Sequence, residues 1–120
     1  MLGVSALSSC ASRSVQIAAD RCWSVSVGDQ VEGTAVLSAF KPGDGCIECG
    51  ASVSGGGDCP SVGFAMPAAA AKQAYDRIVQ TVPADQMGVV KPVVYLSGTV
   101  IPNGATGRPM IRAELLRLAR

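Results

Sequence analysis

Five cysteines and no histidine define the chemistry open to this chain. The sharpest spacing is Cys46-Ile47-Glu48-Cys49, with Cys22 before it and Cys59 after it. Such a pair can exchange disulfides, ligate zinc or be crosslinked, and each use asks for different surroundings. Exchange needs a thiolate at neutral pH, which a helix N-terminus or nearby cations supply. Here glycines flank the pair and Glu48 sits inside it, so the local charge opposes a thiolate. Zinc would take Cys22, Cys46, Cys49 and Cys59 as a tetrahedral all-thiolate set, although a second CxxC is absent. Two disulfides are the third use, and four cysteines allow several pairings. Bonds from Cys22 to one member of the CxxC and from Cys59 to the other are favoured, because they would pin the glycine-rich stretch.

Other catalytic chemistry finds little footing. Without histidine there is no His-based triad, His metal site or His pH switch. Ser38-Ala39-Phe40-Lys41 has the spacing of a serine with a lysine base. It ends a strand-like stretch, where the two side chains point to opposite faces. The Ser-Asp-Asn and Lys-Thr-Gly companions of that motif are missing. Gly50 to Gly57 lacks the lysine and serine of a phosphate-cradling loop. Carboxylates are scattered singly. A protein that is not an enzyme and carries no cofactor is the expectation.

The candidates for binding are few. Charged residues make up 16% of 120 and the net charge is +1, which excludes a strong electrostatic footprint for nucleic acid. Among the scarce aromatics, Trp23 and Tyr95 are the candidates for an exposed face. Arg108, Arg112 and Arg117, with Arg120, give the carboxyl end its one basic feature. It could dock an acidic partner or phospholipid headgroups.

These residues must be positioned by a mostly β chain rich in turns, with 14 glycines and 7 prolines. Ser24 to Val27 alternates and predicts a strand, with Gly28-Asp29 as a turn. Gln30 to Phe40 alternates for longer, with Val31, Gly33, Ala35 and Leu37 on one face. A weak strand is expected from Ile47 to Val53 and another from Pro60 to Met66. Pro67 and the alanines after it start a helix that Pro83 ends, with Ala71, Tyr75, Ile78 and Val82 on its apolar face. Val93 to Ile101 and Met110 to Leu118 read as a hairpin, with Ile111, Ala113 and Leu115 inward and Arg112 and Glu114 outward. A terminal helix from Pro109 is the rival. Gly33 and Gly98, each in mid-strand, should mark bends or bulges.

From Gln30 onward the order is strand, strand, strand, helix, strand, strand. That order resembles the OB-fold, a five-stranded Greek-key barrel with its helix between the third and fourth strands. The resemblance implies a mainly β, OB-like barrel; an α+β sheet with one packed helix is the alternative.

Leu7-Ser8-Ser9-Cys10 resembles the lipobox of bacterial lipoprotein precursors. The resemblance implies that Cys10 is acylated, that residues 1–9 are the remnant of a signal peptide, and that residues 10–21 are a tether to a disulfide-pinned domain over residues 22–120. Ala11 stands where an aspartate would mark retention in the inner membrane, which implies an outer-membrane anchor facing the periplasm. Setting Cys10 aside leaves an even set of cysteines, as an exported, oxidised domain should carry. The expected function is then a lipid-anchored, non-enzymatic binding or structural module whose partner is an envelope protein or polymer. The alternative is a soluble domain that holds zinc on Cys22, Cys46, Cys49 and Cys59 and contacts nucleic acid or protein.

Overall fold

A computed structural model describes residues 13–41, 50–65 and 67–119. Along the chain run β1 (Ser14–Ile17), β2 (Gln30–Phe40), β3 (Ala51–Ser54), β4 (Ser61–Phe64), α1 (Ala69–Thr81), β5 (Val89–Val90), β6 (Val93–Pro102) and β7 (Pro109–Leu118).

β2 organises the sheet because its alternation is long and clean. Val31, Ala35, Leu37 and Ala39 are buried, whereas Gln30 and Glu32 face out. One edge of β2 pairs antiparallel with β6, from Gln30 opposite Thr99 to Val36 opposite Val93. The other edge pairs with β3 through Val36–Ser38. β3 continues to β4, β4 runs parallel to β7, and β7 returns to β6. Five strands therefore close a barrel in the ring order β2–β3–β4–β7–β6, with α1 between the third and fourth of them in sequence. This is the OB-like architecture that the element order implied, and closure through β2 and β6 excludes the open α+β sheet.

Two glycines let the strands coil. Gly33 has φ +142°, and a Cβ there would overlap the carbonyl oxygen of Ile17, because β1 lies parallel against the first residues of β2. At Gly98 a Cβ would overlap the carbonyl oxygen of Arg112. There Ser97 pairs with Leu115 but Gly98 pairs with Ala113, so Glu114 is the extra residue of a bulge. The bulge reverses the facing of the residues after it. Leu115, expected inward, is 46% exposed, and Leu116 is buried at 6%. The terminal helix proposed as a rival is absent, since Pro109–Leu118 is strand.

α1 forms as the alanine run dictates and buries Ala71, Ile78 and Val79. Tyr75 stacks on Phe64 with ring centroids 5.8 Å apart. The helix ends against a cation. Lys41 Nζ donates to the carbonyls of Val79 at 3.0 Å and Gln80 at 2.9 Å, satisfying groups that the last turn leaves free and opposing the helix dipole. Its amine is thus committed to the helix, and the Ser38–Lys41 spacing makes no nucleophile–base pair.

Three sequence expectations need correction. The stretch Ser24–Val27 forms no ladder. Its backbone groups go to a turn instead, with Asp29 N bonded to the Ser26 carbonyl at 3.0 Å and Gly28 N to the Val100 carbonyl at 2.9 Å. Within the expected tether over residues 10–21, Ser14–Ile17 is sheet, where Val15 and Ile17 alternate inward and pair with Val31 and Gly33. The favoured disulfide pairing also fails. Cys22 is bonded to Cys59, with Cα atoms 5.1 Å apart. Gly55 and Gly56 admit the carbonyls of Arg21 and Ala19 where a Cβ would collide, so residues 19–22 lie against the β3–β4 turn. Cys10, Cys46 and Cys49 lie outside the described residues, as does Arg120.

Candidate functional site

The exposed face of β2, β6 and β7 carries the clearest constellation. Register places Thr34, Tyr95 and Arg117 side by side, with Glu32, Ser97 and Leu115 in the next row. Residues two apart in a strand share a face, so all six project outward. Tyr95 Oη donates to the carboxylate of Glu32, and the Arg117 guanidinium lies 4.5 Å from the Tyr95 ring centroid. The bond to Glu32, then desolvation and the carboxylate's charge, raise the Tyr95 pKa above the ordinary tyrosine value, while Arg117 opposes that rise. Arg117 stacks on a ring face that its partner carboxylate orients from the far edge. Val93 is 42% exposed on the same column as Tyr95, and Leu115 borders it.

A shallow cleft of about 230 Å³ opens on the lower part of this face. Gln16, Gln30, Glu32, Ser97 and Glu114 are among its lining residues. Thr99 Oγ1 lies 3.3 Å from Gln30 Oε1 and 3.4 Å from Glu114 Oε2, a hydroxyl between two acceptors. A second cleft of about 260 Å³ lies between β4 and the β6–β7 turn, lined by Val25, Ser61, Gly63, Asn103, Arg108 and Met110. Both are small and open, unlike the deep concave sites that enclose small molecules or cofactors.

The sequence-predicted binding residues are thus divided. Tyr95, Arg112 and Arg117 share the outer face of β6 and β7. Arg108 sits in the β6–β7 turn at the second cleft. Trp23 is elsewhere, half-buried against the core, and its Nε1 is buried with no acceptor among the described residues. Sequence reading missed Glu32, whose role depends on a cross-strand neighbour that only register reveals. It also missed the outward turn of Leu115, hidden in the bulge.

One ion pair secures the start of the fold. Asp29, 5% exposed, accepts from Arg13 Nη2 at 2.8 Å and Nε at 3.3 Å and from Ser26 N at 2.8 Å. The Arg13 bond and the Ser26 amide hold its carboxyl below the usual aspartate pKa, against a smaller effect of burial. Asp85 is lowered likewise by the backbone amides of Val89 and Met87, which close the turn into β5.

Among the described residues, no group of three or more His, Cys, Asp or Glu side chains is placed to hold a metal, and no helix is long and apolar enough to cross a membrane. Comparison with known protein families, with curated proteins and with solved structures returns no match.

Proposed function

We propose that this chain is a non-enzymatic binding or structural module of the bacterial envelope. In this reading Cys10 is acylated and anchors the module to the outer membrane on its periplasmic side. An envelope protein or polymer docks on the outer face of β2, β6 and β7. The observation that carries the reading is the line Arg117–Tyr95–Glu32 beside exposed Leu115 and Val93. Arginine and tyrosine dominate binding hot spots, and exposed aliphatic neighbours exclude water around them. The Cys22–Cys59 bond fits an oxidising compartment.

Two measurements test the proposal. Intact mass of the protein from its native host should show a chain that starts at Cys10 and carries a diacylglycerol. An unmodified Cys10 with residues 1–9 retained would remove the address. A photo-crosslinker placed at Tyr95 should capture an envelope component in that host, whereas one placed at exposed Gln73 on α1 should not. Equal capture from both positions would remove the docking face. The four-thiolate zinc reading is disfavoured because the Cys22–Cys59 bond consumes half of its ligand set.

A further inference from the structure

We propose that the end of the barrel at which β1 begins is a docking surface for an anionic phospholipid bilayer. This rests on the envelope reading and names the surface that its anchor brings to the membrane. Topology decides which end this is. β1 runs parallel to the start of β2, and β6 runs antiparallel to it. The first residues of β1 and β2 therefore share one end with the last residues of β6 and the β6–β7 turn. Backbone bonds hold these levels together. Gln30 N donates to the Arg13 carbonyl at 2.7 Å, Gly28 N to the Val100 carbonyl at 2.9 Å and Asn103 N to the Arg108 carbonyl at 2.8 Å. Cys10, the anchor of the envelope reading, is three residues before Arg13 in the sequence.

The side chains at this end fit a headgroup layer. Arg108 stands exposed just before β7, and Arg112 stands exposed opposite Thr99, which itself faces Gln30 at the start of β2. Among the described residues neither arginine forms an ion pair. The nearby carboxylates are occupied: Asp29 is buried against Arg13, and Glu114, one level further from the turn, accepts from the Thr99 hydroxyl at 3.4 Å. Val27 is 49% exposed at the Ser26–Asp29 turn. The other large exposed hydrophobics of the described residues lie elsewhere, Leu115 on the outer face and Phe40, Met87, Val93 and Leu118 toward the opposite end. Two unpaired cations around one aliphatic side chain lack the apolar core that a protein interface is built on. They suit a surface of anionic headgroups, which attracts each cation and lets a single aliphatic group sink to the acyl boundary.

Vesicle flotation of the full, oxidised chain carrying Cys10→Ser tests the surface without the anchor. At low salt the protein should partition into phosphatidylglycerol–phosphatidylethanolamine vesicles roughly tenfold or more above phosphatidylcholine vesicles, and added salt should remove the difference. Arg108→Glu and Arg112→Glu should each lower the partition coefficient by roughly fivefold or more. Lys91→Glu makes the same change in net charge between β5 and β6, at the opposite end, and should leave binding within roughly twofold of the parent. Circular dichroism checks that the barrel persists; Arg108 lies outside the strand, so its variant carries the test if Arg112→Glu is unfolded. Equal partition into both vesicle types, or into neither, would overturn the proposal. So would a loss from Lys91→Glu as large as that from Arg108→Glu, which would mean that net charge rather than this end governs binding. The anchor is judged separately by the mass of the native chain. An acylated Cys10 with no vesicle preference removes this surface and leaves the anchor standing, whereas an unmodified Cys10 with the preference intact removes the anchor alone.

Discussion

Asp29 takes two hydrogen bonds from Arg13 and one from Ser26, and these hold the carboxyl below its usual pKa. A depressed carboxylate adds stability that is complete above its unfolded pKa and is lost as pH falls through the folded value. The melting temperature should therefore be flat near neutrality and fall below about pH 4. In Asp29→Asn the neutral melting temperature should be lower and the acid limb shallower; an unchanged acid limb would show that other carboxylates control it. Tyr95 has the opposite sign. Its pKa is raised, so the bond to Glu32 persists through neutrality and is lost as pH rises beyond about 10. An absorbance titration should show one tyrosine that ionises earlier in Glu32→Gln than in the parent. Tyr75, raised by burial and by Asp76, should be unaffected.

The β6–β7 hairpin depends on Gly98, where a Cβ would meet the backbone of Arg112 and Ala113. Gly98→Val should cost at least about 2–3 kcal/mol, because the obstacle is backbone and cannot swing aside. Urea unfolding measures it, and a neutral result would mean that the bulge can slide. Lys41→Ala should cost about 0.3–1 kcal/mol by freeing the last carbonyls of α1. The regular elements were legible because their periods are long: eleven alternating residues in β2 and an alanine-led helix closed by Pro83 leave little ambiguity. The order of those elements carried the barrel. What escaped were pieces decided by tertiary neighbours. β1 is four residues long and exists because Gly33 lets it lie close. Ser24–Val27 has the alternation of a strand, but the turn at Asp29 takes both the amide and the carbonyl of Ser26, and no ladder forms. At the site, Tyr95 and Arg117 stood out as residue types, whereas Glu32 and Leu115 required register and a bulge that composition cannot encode.

Across the whole molecule, the Cys22–Cys59 bond ties the segment between β1 and β2 to the β3–β4 turn, at a sequence separation of 37. Chain-entropy reasoning gives about 4 kcal/mol for closing a loop of that length. The double variant Cys22→Ser, Cys59→Ser should lose an amount of this order in urea, with a change in Trp23 fluorescence as its packing loosens. Stability equal to the parent would mean that Gly55 and Gly56 seat the segment unaided. Among the described residues the sheet begins at Ser14, next to Arg13, which is clamped to Asp29 at the foot of β2. Only Ala11 and Ser12 separate that clamp from Cys10, a reach of about 10 Å at full extension. An acylated module would therefore have almost no slack and would stand with the foot of β2 close to the lipid headgroups.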